Sequence, residues 1–175
     1  MFNLFILIVD NKIKKKKFMF GKIFQILFYG AIILGLAALV GRYGFGVSYI
    51  PMKMHSEYST VSNIAIDGYD MVDYFAKKEA DKGMQIFFTS WKEFNWLFND
   101  DGNKKRFKAS PEKYAPQFGG YCSYLVTKNI AYPPNPKVWH IYKKKLYLFS
   151  SEKYKETFIS DIDNNIEKAK TNWKF

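Results

Sequence analysis

The sequence predicts a small single α+β domain, built from two β-hairpins with short helices and a C-terminal amphipathic helix, and preceded by one N-terminal transmembrane helix. Three observations carry this reading. An uncharged apolar run fills residues 23–41, two pairs of β-rich segments are each joined by a short polar turn, and residues 154–173 place apolar side chains at intervals of three or four. Aromatic residues make up 19% of the chain and hydrophobic residues 48%, enough large apolar surface to offset the conformational entropy of folding and to exclude disorder.

Residues 1–22 form a basic segment carrying six lysines, expected in the cytoplasm. The 19 uncharged residues from Ile23 to Gly41, at 1.5 Å rise each, cross about 28 Å of hydrocarbon. They read as a transmembrane anchor or uncleaved signal. The rival reading, a cleaved signal peptide, wants a shorter run and a small-x-small site, for which Gly35-Leu36-Ala37 is a weak match. No cysteine stands just after the run, where an acylated one would have to be, which excludes a lipoprotein. Only Arg42 and Lys53 follow closely, so the bias in lysine predicts a single-pass inner (cytoplasmic) membrane protein, N-terminus inside, domain in the periplasm or otherwise extracytoplasmic. Met19-Phe20-Gly21-Lys22 ahead of the run also reads as an alternative start. Of the net charge of +11, six units lie in residues 1–50, beside the apolar run, where they orient a span rather than grip phosphates.

Residues 42–62 mix Gly, Ser and Pro without a sustained period and read as a tether, leaving 63–175 as the domain. Asn63–Ile66 suggests a short strand, Asp67-Gly68 a turn, and Asp70–Phe75 one or two helical turns with Val72 and Phe75 facing the core. Ile86–Trp91 and Phe94–Phe98 form a first hairpin about Lys92-Glu93. Asn99, Asp100 and Asp101 cap a helix through Lys108, ahead of Ser110-Pro111. Pro133, Pro134 and Pro136 hold an extended connection to a second hairpin, Val138–Tyr142 and Leu146–Phe149, about the turn Lys143-Lys144-Lys145. Tyr154, Phe158, Ile162, Ile166, Ala169 and Trp173 then line one face of a closing helix.

The segment from Pro111 to Tyr124 holds the chain's single cysteine, Cys122, among three tyrosines, two prolines and Gly119-Gly120. Such a crowd predicts a tight backbone approach that positions the thiol. As a thiolate, Cys122 could serve as nucleophile, redox centre or soft-metal ligand. No Lys, Arg or His beside it lowers its pKa, although the amides of a helix starting after Gly119-Gly120 could. The plain alternative is a small buried residue at a helix start. With one cysteine no internal disulfide can form. His140 alternates with Trp139 and Ile141 in a strand and reads as solvated, or as a partner in a Cys-His pair. Met52, Met54 and His55 together offer ligands that copper(I) prefers, in a segment read as flexible. A four-ligand zinc site is disfavoured with one cysteine and two scattered histidines. Lys104-Lys105-Arg106 and Lys143-Lys144-Lys145 read as a solvated helix face and a hairpin tip, not as a nucleic-acid footprint. Phosphate loops, nucleophile elbows and paired catalytic carboxylates are missing, so the expectation leans away from an enzyme.

Taken together, the motifs resemble the exported YHS-domain family of bacteria over residues 63–173. Ala65–Phe75 is similar to its opening GYDPVAYF, Pro111–Tyr124 to its central PEKYAPQYGGYCAY, and Lys145–Phe149 with Asn172-Trp173 to its closing KLYLN and terminal Asn-Trp. Met71 replaces the family's usual proline and His140 its usual threonine, which separates His140 from any shared mechanism. YHS domains are related to treble-clef-like metal-binding modules, and some exported members are selenoproteins. The resemblance therefore implies a redox or soft-metal role at Cys122, framed by Gly119, Gly120 and Tyr121, with Tyr114 in the same motif. The resulting expectation is an anchored binding module that presents Cys122 to a soft metal, copper(I) foremost, or to an envelope protein. The alternatives are a thiol oxidoreductase passing through a sulfenic acid or mixed disulfide, and a structural envelope domain with an inert cysteine.

Overall fold

The computed structural model describes the backbone of residues 2–173 and the side chains of residues 19–60 and 62–173. The chain divides into two compact units, Met1–Val40 and Gly41–Phe175. Helix α1 (Phe2–Phe45) has no proline to interrupt it, and its stretch Met19–Phe45 is long and apolar enough to cross a membrane. The lysines at positions 12–17 lie outside the residues whose side chains are described.

The second unit is α+β. Its strands are β1 (Ser48–Tyr49), β2 (Thr60–Val61), β3 (Ile64–Ala65), β4 (Met84–Trp91), β5 (Phe94–Phe98), β6 (Ile130–Ala131), β7 (Asn135–Tyr142) and β8 (Lys145–Phe149). Its helices are α2 (Asp73–Ala76), α3 (Asp101–Ala109), α4 (Pro111–Tyr114), α5 (Ser123–Val126), α6 (Glu152–Ile159) and α7 (Ile162–Asn172). One sheet runs β2-β3-β5-β4, with β3 parallel to β5 and the other pairs antiparallel. β7 pairs antiparallel with β8, and β1 with β6. The turn between β7 and β8 is two residues, Lys143 and Lys144, both left-handed as a tight turn requires; Lys145 already belongs to the strand.

Strand periodicity explains how the cores are divided. Leu146 and Leu148 of β8 join a cluster with Met71, Val72, Tyr74, Trp96, Phe98 and Phe107, whereas Tyr147 and Phe149 join a second with Phe118, Tyr121, Cys122, Phe158 and Ile166. Successive side chains point to opposite faces, so a strand covered on both sides must be apolar at every position. Caps set the helix starts: Asp100 accepts from Asn103 N at 2.7 Å to open α3, and Ser151 from Tyr154 N at 3.3 Å to open α6.

Two expectations need correction. Residues 42–62 are no tether, because Ile50, His55, Tyr58 and Ser59 are buried and β1 and β2 lie within the segment. The ordering comes from distant partners: Tyr49 pairs with Ile130, and Ser59 N donates to Gly119 O at 2.8 Å. The closing helix is two helices, broken where Asp161 leaves helical geometry at φ −145° and ψ 60°, with the Asn165 amide reaching back to Phe158 O at 3.0 Å. The apolar spacing continues across the break, which is why periodicity alone joins the two.

Candidate functional site

The glycines of the central motif are dictated by close packing. Phe118, Gly119 and Gly120 follow one another with φ of 54°, 59° and 74°, a left-handed run that side chains resist. A Cβ on Gly119 would lie 2.0 Å from Glu57 O, and one on Gly120 would lie 2.3 Å from Ile66 Cδ1. The tight approach expected from the sequence is therefore directed at residues 57–59 and Ile66. From this run the chain passes to Tyr121, whose hydroxyl meets Ser56 Oγ at 3.0 Å and whose ring lies against His55 and Trp173, centroids 6.0 and 5.6 Å away. Burial raises the Tyr121 pKa against the opposing pull of Ser56 and Arg42.

Cys122 follows with no exposed surface. Its amide donates to Tyr132 O at 2.9 Å, its carbonyl accepts from Val126 N at 3.0 Å, and its thiol sulfur accepts the Ser150 hydroxyl at 3.4 Å. The helix after it, α5, has four residues, and the thiol caps none of its amides. Beside it, Ser123 Oγ is buried without a hydrogen-bond partner among the described residues.

The other expected site residues are dispersed. Tyr114 sits in the first core, edge-on to Phe75 at 5.6 Å, while Cys122 belongs to the second. Met52 is exposed, and Met54 is half-buried with its carbonyl accepting from Arg42 Nε. His55 is buried rather than carried on a flexible segment, and that burial, followed by the nearby Arg42 charge, lowers its pKa. His140 is half-buried on β7 opposite Tyr147; burial and then Lys155 lower its pKa. Among the described residues no three His, Cys, Asp or Glu side chains come together as a group able to hold a metal. A copper site built on Cys122 does not fit this donor set: its thiol meets a hydroxyl, and the imidazole of His55 packs against the rings of Tyr121 and Trp173.

Sequence reasoning missed a buried carboxylate pair. Asp70 and Asp73, both without exposed surface, share Asn103 Nδ2 at 2.7 and 2.8 Å. Asp70 also accepts from the amides of Val72 and Asn99, each at 2.8 Å, and Asp73 from Lys77 Nζ at 2.9 Å and from Asn99 Nδ2. Burial raises the Asp70 pKa despite its three donors, with the Asp73 charge adding to the rise. Burial pushes Asp73 upward too, but Lys77 and the two amides outweigh it and hold Asp73 below its ordinary value. With each carboxylate oxygen accepting at least one hydrogen bond, the pair ties the Asp70–Asp73 turn to the end of β5 and to α3. Its sequence signal is Asp70 and Asp73 ahead of an apolar run, while the partners that complete it lie on α3 and just before it.

No protein-family model, no curated protein and no solved structure matches the chain.

Proposed function

We propose that this chain is a membrane-anchored, YHS-like envelope module that works as a structural or partner-binding domain, with Cys122 as a packing residue. The supporting observation is the thiol itself, with zero exposure and its sulfur accepting the Ser150 hydroxyl. Metal capture and thiol exchange both require the sulfur to meet a ligand or disulfide arriving from solution, and reactive cysteines are partly exposed in electropositive surroundings. The Gly-Gly-Tyr-Cys motif has a sufficient role without either. It joins residues 56–59, Ile66, Tyr132 and Ser150 about one turn. The apolar stretch Met19–Phe45 supplies the anchor in this reading, with the domain on the outer side.

The test is copper(I) competition against a chromophoric chelator, using the full-length chain and its Cys122→Ala variant in the same detergent. Indistinguishable curves are expected, with matching tryptophan emission to show that the variant folds. A one-to-one site of sub-micromolar affinity that disappears in Cys122→Ala would overturn the proposal in favour of soft-metal binding.

A further inference from the structure

The globular unit carries a patch of exposed large apolar side chains beside its first strand. Tyr43, Phe45, Tyr49, Met52 and Tyr132 stay between 42 and 81% exposed although all are large and apolar. They belong to two segments, 41–56 and 127–137, that the fold joins. Ser48 pairs with Ala131 and Tyr49 with Ile130. Ile50 N donates to Asn129 O at 2.8 Å, and Gly46 abuts Pro133 so closely that a Cβ would come within 3.1 Å of its ring. Arg42 reaches Met54 O and Val47 N reaches Gly41 O, which closes the loop between the last turn of α1 and β1.

Charge separates this patch from the rest of the unit. The two segments carry Arg42, Lys53, Lys128 and Lys137 and no aspartate or glutamate, whereas every acidic residue beyond position 40 lies outside them. No acidic side chain pairs with Lys53 among the described residues, and it lines a cavity of about 370 Å³ with Ile50, Pro51, Asn129, Thr171 and Asn172. Aromatic side chains mixed with lysine and arginine are what the headgroup layer of a bilayer selects, and anionic lipid attracts basic residues next to a span. The patch is also continuous in sequence with the apolar stretch: that stretch ends at Phe45, and two residues separate it from β1.

We infer that segments 41–56 and 127–137 form an interfacial foot that seats in the headgroup layer of an anionic phospholipid bilayer, the aromatic side chains among the headgroups and Lys53, Lys128 and Lys137 at the phosphates. The inference rests on reading Met19–Phe45 as a span. In nanodiscs of phosphatidylcholine and phosphatidylglycerol, the full-length chain is labelled with an environment-sensitive fluorophore at Tyr49→Cys, Met52→Cys, Lys105→Cys or Leu34→Cys. Each is made in the native and the Cys122→Ala backgrounds, with tryptophan emission as the check on folding. Lipids carrying a spin label near the headgroup are expected to quench positions 49 and 52 at least twofold more than position 105. Iodide in the water is expected to do the reverse, and the lipid effect weakens when phosphatidylglycerol is omitted. Quenching at 49 and 52 equal to that at 105, with Leu34→Cys quenched, overturns the foot and leaves the span standing, as for a surface reserved for a soluble partner. No lipid quenching at Leu34→Cys overturns the span and the foot together. Lipid quenching indifferent to phosphatidylglycerol overturns the assignment of the lysines to phosphate.

Discussion

Replacing Gly119 with alanine separates a glycine kept for packing from one kept open for a ligand. At φ +59° an alanine meets left-handed strain of about 1 kcal/mol. Its Cβ would sit 2.0 Å from the Glu57 carbonyl oxygen, a backbone atom that cannot rotate away, and 3.1 Å from the Trp173 ring. Forcing these apart resembles overpacking a core, at about 2 kcal/mol. Parting the two segments also removes the Ser59 N to Gly119 O bond, for about 1 kcal/mol more. The expected loss is roughly 4 kcal/mol, much of the stability of a domain this size. Gly120→Ala should cost less, about 2 kcal/mol, because its nearest obstacle is the flexible end of Ile66. Gly46→Ala, at φ +64° with 3.1 Å to Pro133, should cost about 1 kcal/mol. Urea unfolding of the full-length chain in detergent reads the series through tryptophan emission, since all four tryptophans lie in the globular unit. A Gly119→Ala variant as stable as Gly46→Ala would refute the packing account of the motif.

Two further outcomes follow from the buried polar groups. Asp73→Asn turns an amide N–H toward donors that now meet a carboxylate, with an expected cost of about 2 kcal/mol at pH 7. Because the folded pKa of Asp73 is held below its unfolded value, its contribution is present above the unfolded pKa and lost as pH falls through the folded one. The difference between wild type and Asp73→Asn should therefore narrow below about pH 4, and a constant difference from pH 7 to pH 3 would contradict this. Asp70, raised by burial, runs the other way: its contribution is present below the unfolded pKa and is lost as pH rises through the folded one. Ser123→Ala removes a buried hydroxyl that has no partner among the described residues, so a gain of about 1 kcal/mol is expected in the same urea assay. A loss instead would contradict the reading of this hydroxyl as an unsatisfied buried group.

The sequence displayed the parts of this fold whose signal is local. β-rich runs meet as antiparallel pairs at Trp91–Phe94 and Tyr142–Lys145, and Asp100 caps the helix expected behind it. The alternation of Leu146, Tyr147, Leu148 and Phe149 carries a further message, a strand buried on both faces, that a hairpin reading leaves unused. Illegible parts depend on remote partners. Strands of two residues at 48–49 and 60–61 have no period to detect, and Gly46 there marks a close approach to Pro133 rather than freedom. Asp70 and Asp73 look like turn residues until Asn99 and Asn103 arrive from elsewhere in the chain. For Cys122 the crowding of its neighbours was visible, but crowding describes both a presented thiol and an enclosed one. Only the partners, Ser150 on one side and Tyr132 on the other, separate the two.

The central claim, that Cys122 is a packing residue, is tested most directly by its alkylation rate in the folded full-length chain as urea is raised. With zero exposure, the thiol should react with a small maleimide only through opening of the domain. The rate in water is then expected to lie below that of the urea-unfolded chain by the unfolding equilibrium constant, about 10³-fold or more, and to rise with urea along the tryptophan unfolding curve. Stoichiometric labelling within minutes in water, with a rate independent of urea below the transition, would contradict the account and return the thiol to the surface chemistry that its motif first suggested.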